Sequence, residues 1–448
     1  MKVLQAAAWY PPFSLGGTEV YLSQLVSELA DMGIENTVAV PAAGEEQADY
    51  EHQNVPVVRY PVNETPGKQE LAGLRPHDRF EDFVSILRQH REAIYHQHSW
   101  TRGCGLFHLQ AAHSLGVRTV VTVHVPANIC LSGTMMKYGK RACAGSVTIR
   151  ECASCWAQGQ GVPQLLADAI SALPLDVAKS LRKLPGSAGS LLAARALASD
   201  KLQSYKQMMK IADRVVVVSQ WLYEALLARG MDKDKLILSR HGIDSDTANF
   251  IKQSISGEFN READGAGKQT GTLRLLYLGR WDPVKGLDVV IRAIHKLPKT
   301  VSVQLVIHAV GTGQAEKDYE NRIRTLVGDD PRIKILPPVE RNQIQNLMAQ
   351  FDVLVVPSQW METGPLVVLE GLSNGLFVIG SDLGGIAEWV HQETGLLVSA
   401  SDVDAWTAAI QNCVQRKLRD GVIRNAPKCL RTMNEVSSEM RALYEKLC

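Results

Sequence analysis

A strand that runs straight into a glycine-proline helix start constrains this chain more than any other stretch. Phe351–Ser358 (FDVLVVPS) is an apolar, β-branched run of strand length. Trp360–Gly375 (WMETGPLVVLEGLSNG) follows, with Glu362 in a loop, Gly364-Pro365 at a helix start and Asn374-Gly375 at its stop. A buried strand thus delivers the chain to a loop, and a helix N-terminus opens where the strand ends. In an open α/β sheet, ligands bind at such places. The N–H groups of Gly364 and Leu366, on either side of Pro365, and the positive end of the helix dipole favour an anion there.

Two carboxylates frame this point, Glu362 before the helix and Glu370 inside it, with seven residues between them. Taken singly, the first reads as a capping or dipole residue and the second as part of a solvated face. Taken together they suit a phosphorylated ligand seated on the helix N-terminus. One acid reaches hydroxyls of the ligand and the other takes a ribose.

The chain is long enough for two domains or more at 448 residues. Its formal net charge of +1 argues against a broad nucleic-acid surface. No apolar run in it reaches membrane-spanning length. Tyr10-Pro11-Pro12 interrupts the apolar start too early for a signal peptide, so a cytoplasmic protein is expected.

The first half alternates strands and helices, which predicts a parallel, doubly wound sheet. MKVLQAAAW reads as a strand. Gly16-Gly17 then make a turn, Thr18 a cap, and an amphipathic helix runs to Gly33. Such a turn is either a tight βα connection or a phosphate site. Two later strands end in histidines, at His98 and at His124. These are hydrogen-bonded core residues or groups facing a ligand at the open edge of the sheet.

Between Cys130 and Cys155 lie four of the eight cysteines: Cys130, Cys143 and the pair Cys152-x-x-Cys155. A structural zinc held by four thiolates is the expectation, with free thiols or a redox pair as the alternatives. An apolar helical stretch follows, interrupted by Pro and Gly. It reads as a packed insertion, with a lid, an acceptor-binding pair of helices or a face resting on a membrane as alternatives. Ser254–Gly271 is polar and Gly-rich and reads as a linker.

A second series of strands and helices then begins. Arg280 ends its first strand and Lys285 precedes a helix, five residues on. A guanidinium fork and an ammonium so spaced can clamp a diphosphate. Gly311-Thr312-Gly313 marks a further close-approach turn.

With these residues in place, the chain resembles the retaining family-4 glycosyltransferases, which have the GT-B fold. The match rests on Glu362-x7-Glu370, on Gly279-Arg280-x4-Lys285-Gly286, and on Gly242-Ile243-Asp244 where the family commonly has Asn-Gly-Ile-Asp. The resemblance implies an α/β chain of two doubly wound, Rossmann-like domains facing a cleft. The N-terminal, acceptor-side domain would span 1–255, with a Cys-rich and helical insertion at about 127–199. The nucleotide-sugar domain would span 256–425, and a helix in 426–448 would cross back to the first domain.

The resemblance also implies roles. Glu362 would contact the donor sugar and Glu370 the ribose. Gly16 and Gly17 would reach donor phosphate and acceptor, and His124 would sit near the acceptor. The catalytic set is then His124, Glu362, Arg280 and Lys285. The donor-binding set is Gly16, Gly17, Arg280, Lys285, Gly364, Pro365, Leu366 and Glu370. The implied activity is a retaining, hexosyl-type transfer from a UDP- or GDP-sugar to a hydroxyl of a sugar or lipid-linked acceptor, as in glycan, glycolipid or polysaccharide synthesis. Cations and a helix dipole would replace a catalytic metal, so no catalytic cofactor is expected. The alternatives are a nucleotide-sugar epimerase of the same fold and a non-catalytic nucleotide-sugar binder. Peripheral membrane contact is compatible with a lipid-linked acceptor.

Overall fold

The computed structural model describes residues 1–14, 16–44, 48–71, 73–145, 148–245, 247–248, 271–311, 313–416 and 430–448. The expected linker before Gly271, the expected boundaries near 255 and 425, and Thr312 lie outside the described residues. The chain forms two compact units. One comprises Met1–Arg240 with Asn434–Cys448, and the other His241–Met433.

The first unit is built on β1 (Lys2–Ala6), β2 (Glu35–Ala43), β3 (Tyr50–His52), β4 (Val55–Val62), β5 (Ile94–Gln97) and β6 (Thr119–Val123). A short hairpin, β7 (Met136–Lys137) and β8 (Arg141–Ala142), stands apart, and β9 (Arg214–Val217) and β10 (Leu236–Leu238) complete the sheet. The order is β10-β9-β6-β5-β1-β2-β4-β3, parallel except for the β3–β4 pair. β5 and β6 are buried along their whole length, as a sheet covered on both faces requires. Helix Gly17–Asp31 after β1 begins two residues earlier than a Thr18 cap would allow, with Gly16 at its N-cap. Helix Met433–Glu445 belongs to this unit from Asn434 on. Its Asn434 amide donates to Glu28 at 3.0 Å, and Tyr444 is hydrogen-bonded to His96 at 2.6 Å.

The second unit carries β11 (Leu273–Arg280), β12 (Val303–Val310), β13 (Ile333–Leu336), β14 (Val353–Val356), β15 (Phe377–Ser381) and β16 (Gly395–Val398). All pairs are parallel, in the order β13-β12-β11-β14-β15-β16. VLVV of β14 is wholly buried, and its side chains feed the packed layers on both faces: Val353 and Val355 on one, Leu354 and Val356 on the other. That alternation follows from the two-residue period of a strand. Both units are doubly wound α/β domains, as expected.

Candidate active site

The second sheet reverses its strand order between β11 and β14, which lie side by side with Leu275 opposite Val353 and Leu276 opposite Leu354. Helices leave these two strands towards opposite edges of the sheet, so a crevice opens at their carboxyl ends. Arg280 is the last residue of β11, and the loop after β14 carries Glu362. The sequence motifs of this half therefore converge on the one place where the topology makes a binding crevice.

Close backbone packing locks the two loops together. Gly286 has φ 67°, and a Cβ there would collide with the Pro357 carbonyl oxygen. The N–H of Gln359 donates to the Val284 carbonyl at 2.7 Å. Lys285 is thereby aimed at Glu362, and its ammonium donates to Glu362 Oε1 at 2.6 Å. It also lies 5.5 Å from the centre of the Trp360 ring. The Ser358 hydroxyl donates to the same carboxylate oxygen at 2.7 Å. Burial alone would raise the Glu362 carboxyl. The Lys285 charge and hydrogen bonds from Lys285, Ser358 and Trp360 outweigh it and hold the group below the usual carboxylate range. Behind the loop, the Gly385 N–H donates to the Glu362 carbonyl at 2.6 Å, a contact that the bare Cα atoms of Gly384 and Gly385 permit.

Helix Leu366–Ser373 begins four residues after Glu362, with Pro365 at its N-cap rather than in its first turn. Proline has no N–H, so Pro365 adds no donor at this end. The N–H of Val368 already reaches the Pro365 carbonyl at 2.9 Å. Leu366 and Val367 keep N–H groups with no acceptor inside the helix. Asn374 closes the helix and Gly375 leaves it at φ 70°, as the Asn-Gly stop predicts.

Glu370 is buried and ion-paired with Arg341, whose guanidinium also reaches Asp244 at 3.3 Å. Arg341 was not singled out in the sequence. It lies 29 residues from Glu370 in a polar stretch with no motif, and only the fold joins them. Arg280 is exposed and faces Asp282 at 3.4 Å. Three cations, Arg280, Lys285 and Arg341, thus stand among four carboxylates, Asp244, Asp282, Glu362 and Glu370. These side chains therefore make no net positive field at the crevice.

Gly16, Gly17 and His124 lie in the other unit. Glu19 folds back onto Gly16 at the start of helix Gly17–Asp31, so a carboxylate already attends this N-terminus. One turn on, the Tyr21 ring meets His124 edge-on, with centroids 4.8 Å apart. The Gly-rich turn and His124 are therefore brought together.

His98 and His124 are buried and bonded to each other, Nδ1 to Nε2, at 3.1 Å. The protons along this chain can be assigned from one end. The Ile34 carbonyl can only accept, so the Asn36 amide nitrogen donates to it at 3.1 Å. Asn36 Oδ1 then accepts from Gln5 Nε2 at 2.9 Å. Gln5 Oε1 must accept from His98 Nε2 at 2.9 Å. Burial holds His98 neutral, well below its usual range. Its Nδ1 is consequently an acceptor, and His124 donates to it through Nε2–H. In a neutral His124 ring, Nδ1 is then the nitrogen that carries no proton. The sequence marked both histidines but not Gln5 and Asn36, two polar side chains on strands whose register brings them together.

Residues 16–240 match the family described as glycosyl transferase 4-like domain, and residues 272–416 match glycosyl transferases group 1. The chain belongs to the family-4-like glycosyltransferases. Its curated relatives include D-inositol 3-phosphate glycosyltransferases. That of Pseudarthrobacter chlorophenolicus is 25% identical over 411 residues, covering 88% of this chain and 81% of the relative. That of Mycobacterium ulcerans is 28% identical over 249 residues, covering 53% of this chain and 49% of the relative. The chain spans about half the length of the latter in that match. Among solved structures, Anabaena HepE in complex with UDP and glucose has a TM-score of 0.61 at 15% identity, over 99% of both chains. Sucrose-phosphate synthase from Thermosynechococcus elongatus also has 0.61, at 19% identity, over 100% of this chain and 98% of that one. These likenesses establish the GT-B fold. Among the described residues of this glycosyltransferase, no helix is long and apolar enough to cross a membrane.

The glycosyltransferase also buries neutral histidines, and this fixes a pH response. His241 lies against Gly364, and burial pushes its pKa down to about 4 despite a backbone hydrogen bond with Gly364. Below the ordinary value of 6.5, the unfolded chain takes up a proton that the folded chain refuses. Stability is then full above pH 6.5 and falls as pH drops towards 4, by about 3 kcal/mol for this group alone. His96, His98 and His108 are depressed by burial in the same direction. The urea midpoint is expected to fall between pH 7 and 5, with a shallower slope in His241→Gln. A midpoint that is flat across this window would contradict the neutral assignment.

Proposed function

We propose that the chain transfers a sugar from a nucleoside-diphosphate donor to an acceptor hydroxyl, with retention at the anomeric carbon. The observation that carries this reading is the Lys285–Glu362 pair at the strand-order reversal, beside the N-terminus of helix Leu366–Ser373. The bond from the anomeric carbon to the diphosphate breaks with its electron pair going to the phosphate oxygen. The acceptor oxygen bonds to that carbon and gives up its proton. The leaving group gathers negative charge, and aimed donors lower its energy more than that of the ground state.

Lys285, Arg280 and the N–H groups of Leu366 and Val367 supply those donors. Glu362 holds Lys285 in line and offers a carboxylate to sugar hydroxyls. Glu370 takes the ribose, steadied by Arg341. His124 accepts a hydroxyl proton through Nδ1. A UDP-sugar is the first choice of donor, since HepE has been solved with UDP and with UDP-glucose. The acceptor class is a polyol, sugar or lipid-linked sugar; the inositol-phosphate transferases among the relatives favour a phosphorylated polyol.

The test uses the full chain with a panel of UDP- and GDP-sugars, with and without acceptor polyols. Transfer releases nucleoside diphosphate only when acceptor is present. Conversion of the donor without acceptor would indicate an epimerase, and tight binding without turnover a binding module. Glu370→Ala is expected to weaken UDP binding about 10- to 100-fold, the worth of charged hydrogen bonds, while sparing glucose 1-phosphate. Equal loss for both ligands would remove the ribose role.

A further inference from the structure

The cysteine-bearing segment between β6 and helix Ile149–Gly159 carries a feature that donor chemistry does not use. It has little regular structure: a turn at Pro126–Asn128 and the hairpin β7–β8, with two residues in each strand. Strands this short do not hold themselves in water. Loop-rich segments with little core of their own are commonly stapled by disulfides or metal.

Four thiols from three parts of this region line one cavity of about 30 Å³. Cys130 follows the turn, its N–H bonded to Pro126 at 2.8 Å, and Cys143 follows the hairpin, its N–H bonded to Met135 at 2.8 Å. Cys152 and Cys155 lie three residues apart on helix Ile149–Gly159, and so on one face. Leu131, Met135 and Met136 make the rest of the lining largely apolar; Arg229 brings positive charge to it, while Lys137 is ion-paired at 3.0 Å with Glu151, which also lines the cavity. The hairpin tip turns through two left-handed residues, Tyr138 at φ 57° and Gly139 at φ 68°. Its Tyr138 N–H donates to Cys155 Sγ at 3.1 Å. An N–H aimed at sulfur, a guanidinium nearby and a largely apolar shell are what orient and stabilise metal thiolates.

All four cysteines are present as thiols, and among the described residues no group of three or more His, Cys, Asp or Glu is already drawn together to hold a metal ion. A bound ion would close that gap itself, since four thiolates about 2.3 Å from a zinc need only a cavity for one atom. We propose that Cys130, Cys143, Cys152 and Cys155 hold one zinc ion in a closed structural site. With all four positions taken by the protein, the ion takes no part in transfer. Its binding free energy fixes the segment that follows β6, the strand after which His124 stands.

The experiment is metal analysis by mass spectrometry of the full chain, purified without added metal or a metal-affinity step. About one zinc per chain is expected. Cobalt exchanged for it should show the intense thiolate-to-cobalt absorption of a tetrahedral site. Cys143→Ser and Cys155→Ser are each expected to lose the metal, while Cys448→Ser keeps it, since Cys448 is an exposed thiol that does not line the cavity. The wild-type metal count needs no variant to fold. Zinc-free protein with four freely titrating thiols, a Cys152–Cys155 disulfide seen by mass, or iron in place of zinc would each overturn the proposal. None of these outcomes bears on whether the donor crevice binds nucleotide.

Discussion

Lys285→Ala is expected to lower kcat/KM by about 10²- to 10³-fold, the cost of removing one aimed donor from a developing oxyanion. It is also expected to destabilise the second unit. Glu362 is 7% exposed and takes its depressed pKa chiefly from Lys285. Without that ammonium, a buried carboxylate loses its counter-charge, at a cost of about 3–5 kcal/mol. The two effects can be separated. Lys285→Ala with Glu362→Gln removes the stranded charge and should recover most of the lost stability. It should recover no turnover, because the diphosphate still lacks its donor. Urea unfolding and steady-state kinetics on both variants decide the matter. Turnover restored together with stability would mean that Lys285 only props Glu362, and the leaving-group role would fall.

The crevice at the β11–β14 reversal was legible in the sequence because its parts are local. A strand of period two, a Gly-Pro start and an Asn-Gly stop each announce themselves within a few residues. The spacing from Arg280 to Lys285 survives as one turn after β11. What sequence could not give is partnership across the fold. Arg341 belongs to Glu370, and Asp282 answers Arg280, so cations that look free in the sequence are each balanced in space. The strand order was hidden for the same reason. β11 and β14 are neighbours although two strands separate them in the chain, and that adjacency is what makes a crevice of two ordinary loops. Thr18 failed as a cap for a local reason: Gly16 already takes the extended N-cap conformation, and Glu19 reaches back to it.

The chain of buried amides that ends at His124 leads to the second large effect. His98 acts on His124 through a single proton, accepting Nε2–H with Nδ1 while its own Nε2–H is held by Gln5. A leucine at position 98 fills the space but accepts nothing. His124 is then free to protonate Nδ1, the nitrogen proposed to receive a substrate proton, and its Nε2 is left buried without its acceptor. His98→Leu is expected to lower kcat about 10- to 100-fold, the range seen when a partner that orients a functional histidine is lost. The KM for the nucleotide sugar should barely move, since the groups proposed to hold the diphosphate and ribose, Gly16 and Gly17 apart, belong to the other unit. Glutamine is the discriminating substitution. Its carbonyl can accept from His124 and its amide can donate to Gln5, so His98→Gln should retain most activity where leucine does not. A merely structural role predicts the reverse, because leucine suits a buried site better than a second amide does. Nitrogen-15 signals of the His124 ring supply the direct readout: protonated Nε2 and bare Nδ1 in the wild type and the glutamine variant, mixed tautomers in the leucine variant. A wild-type ring protonated at Nδ1 would break the assignment at its last link, whatever the kinetics.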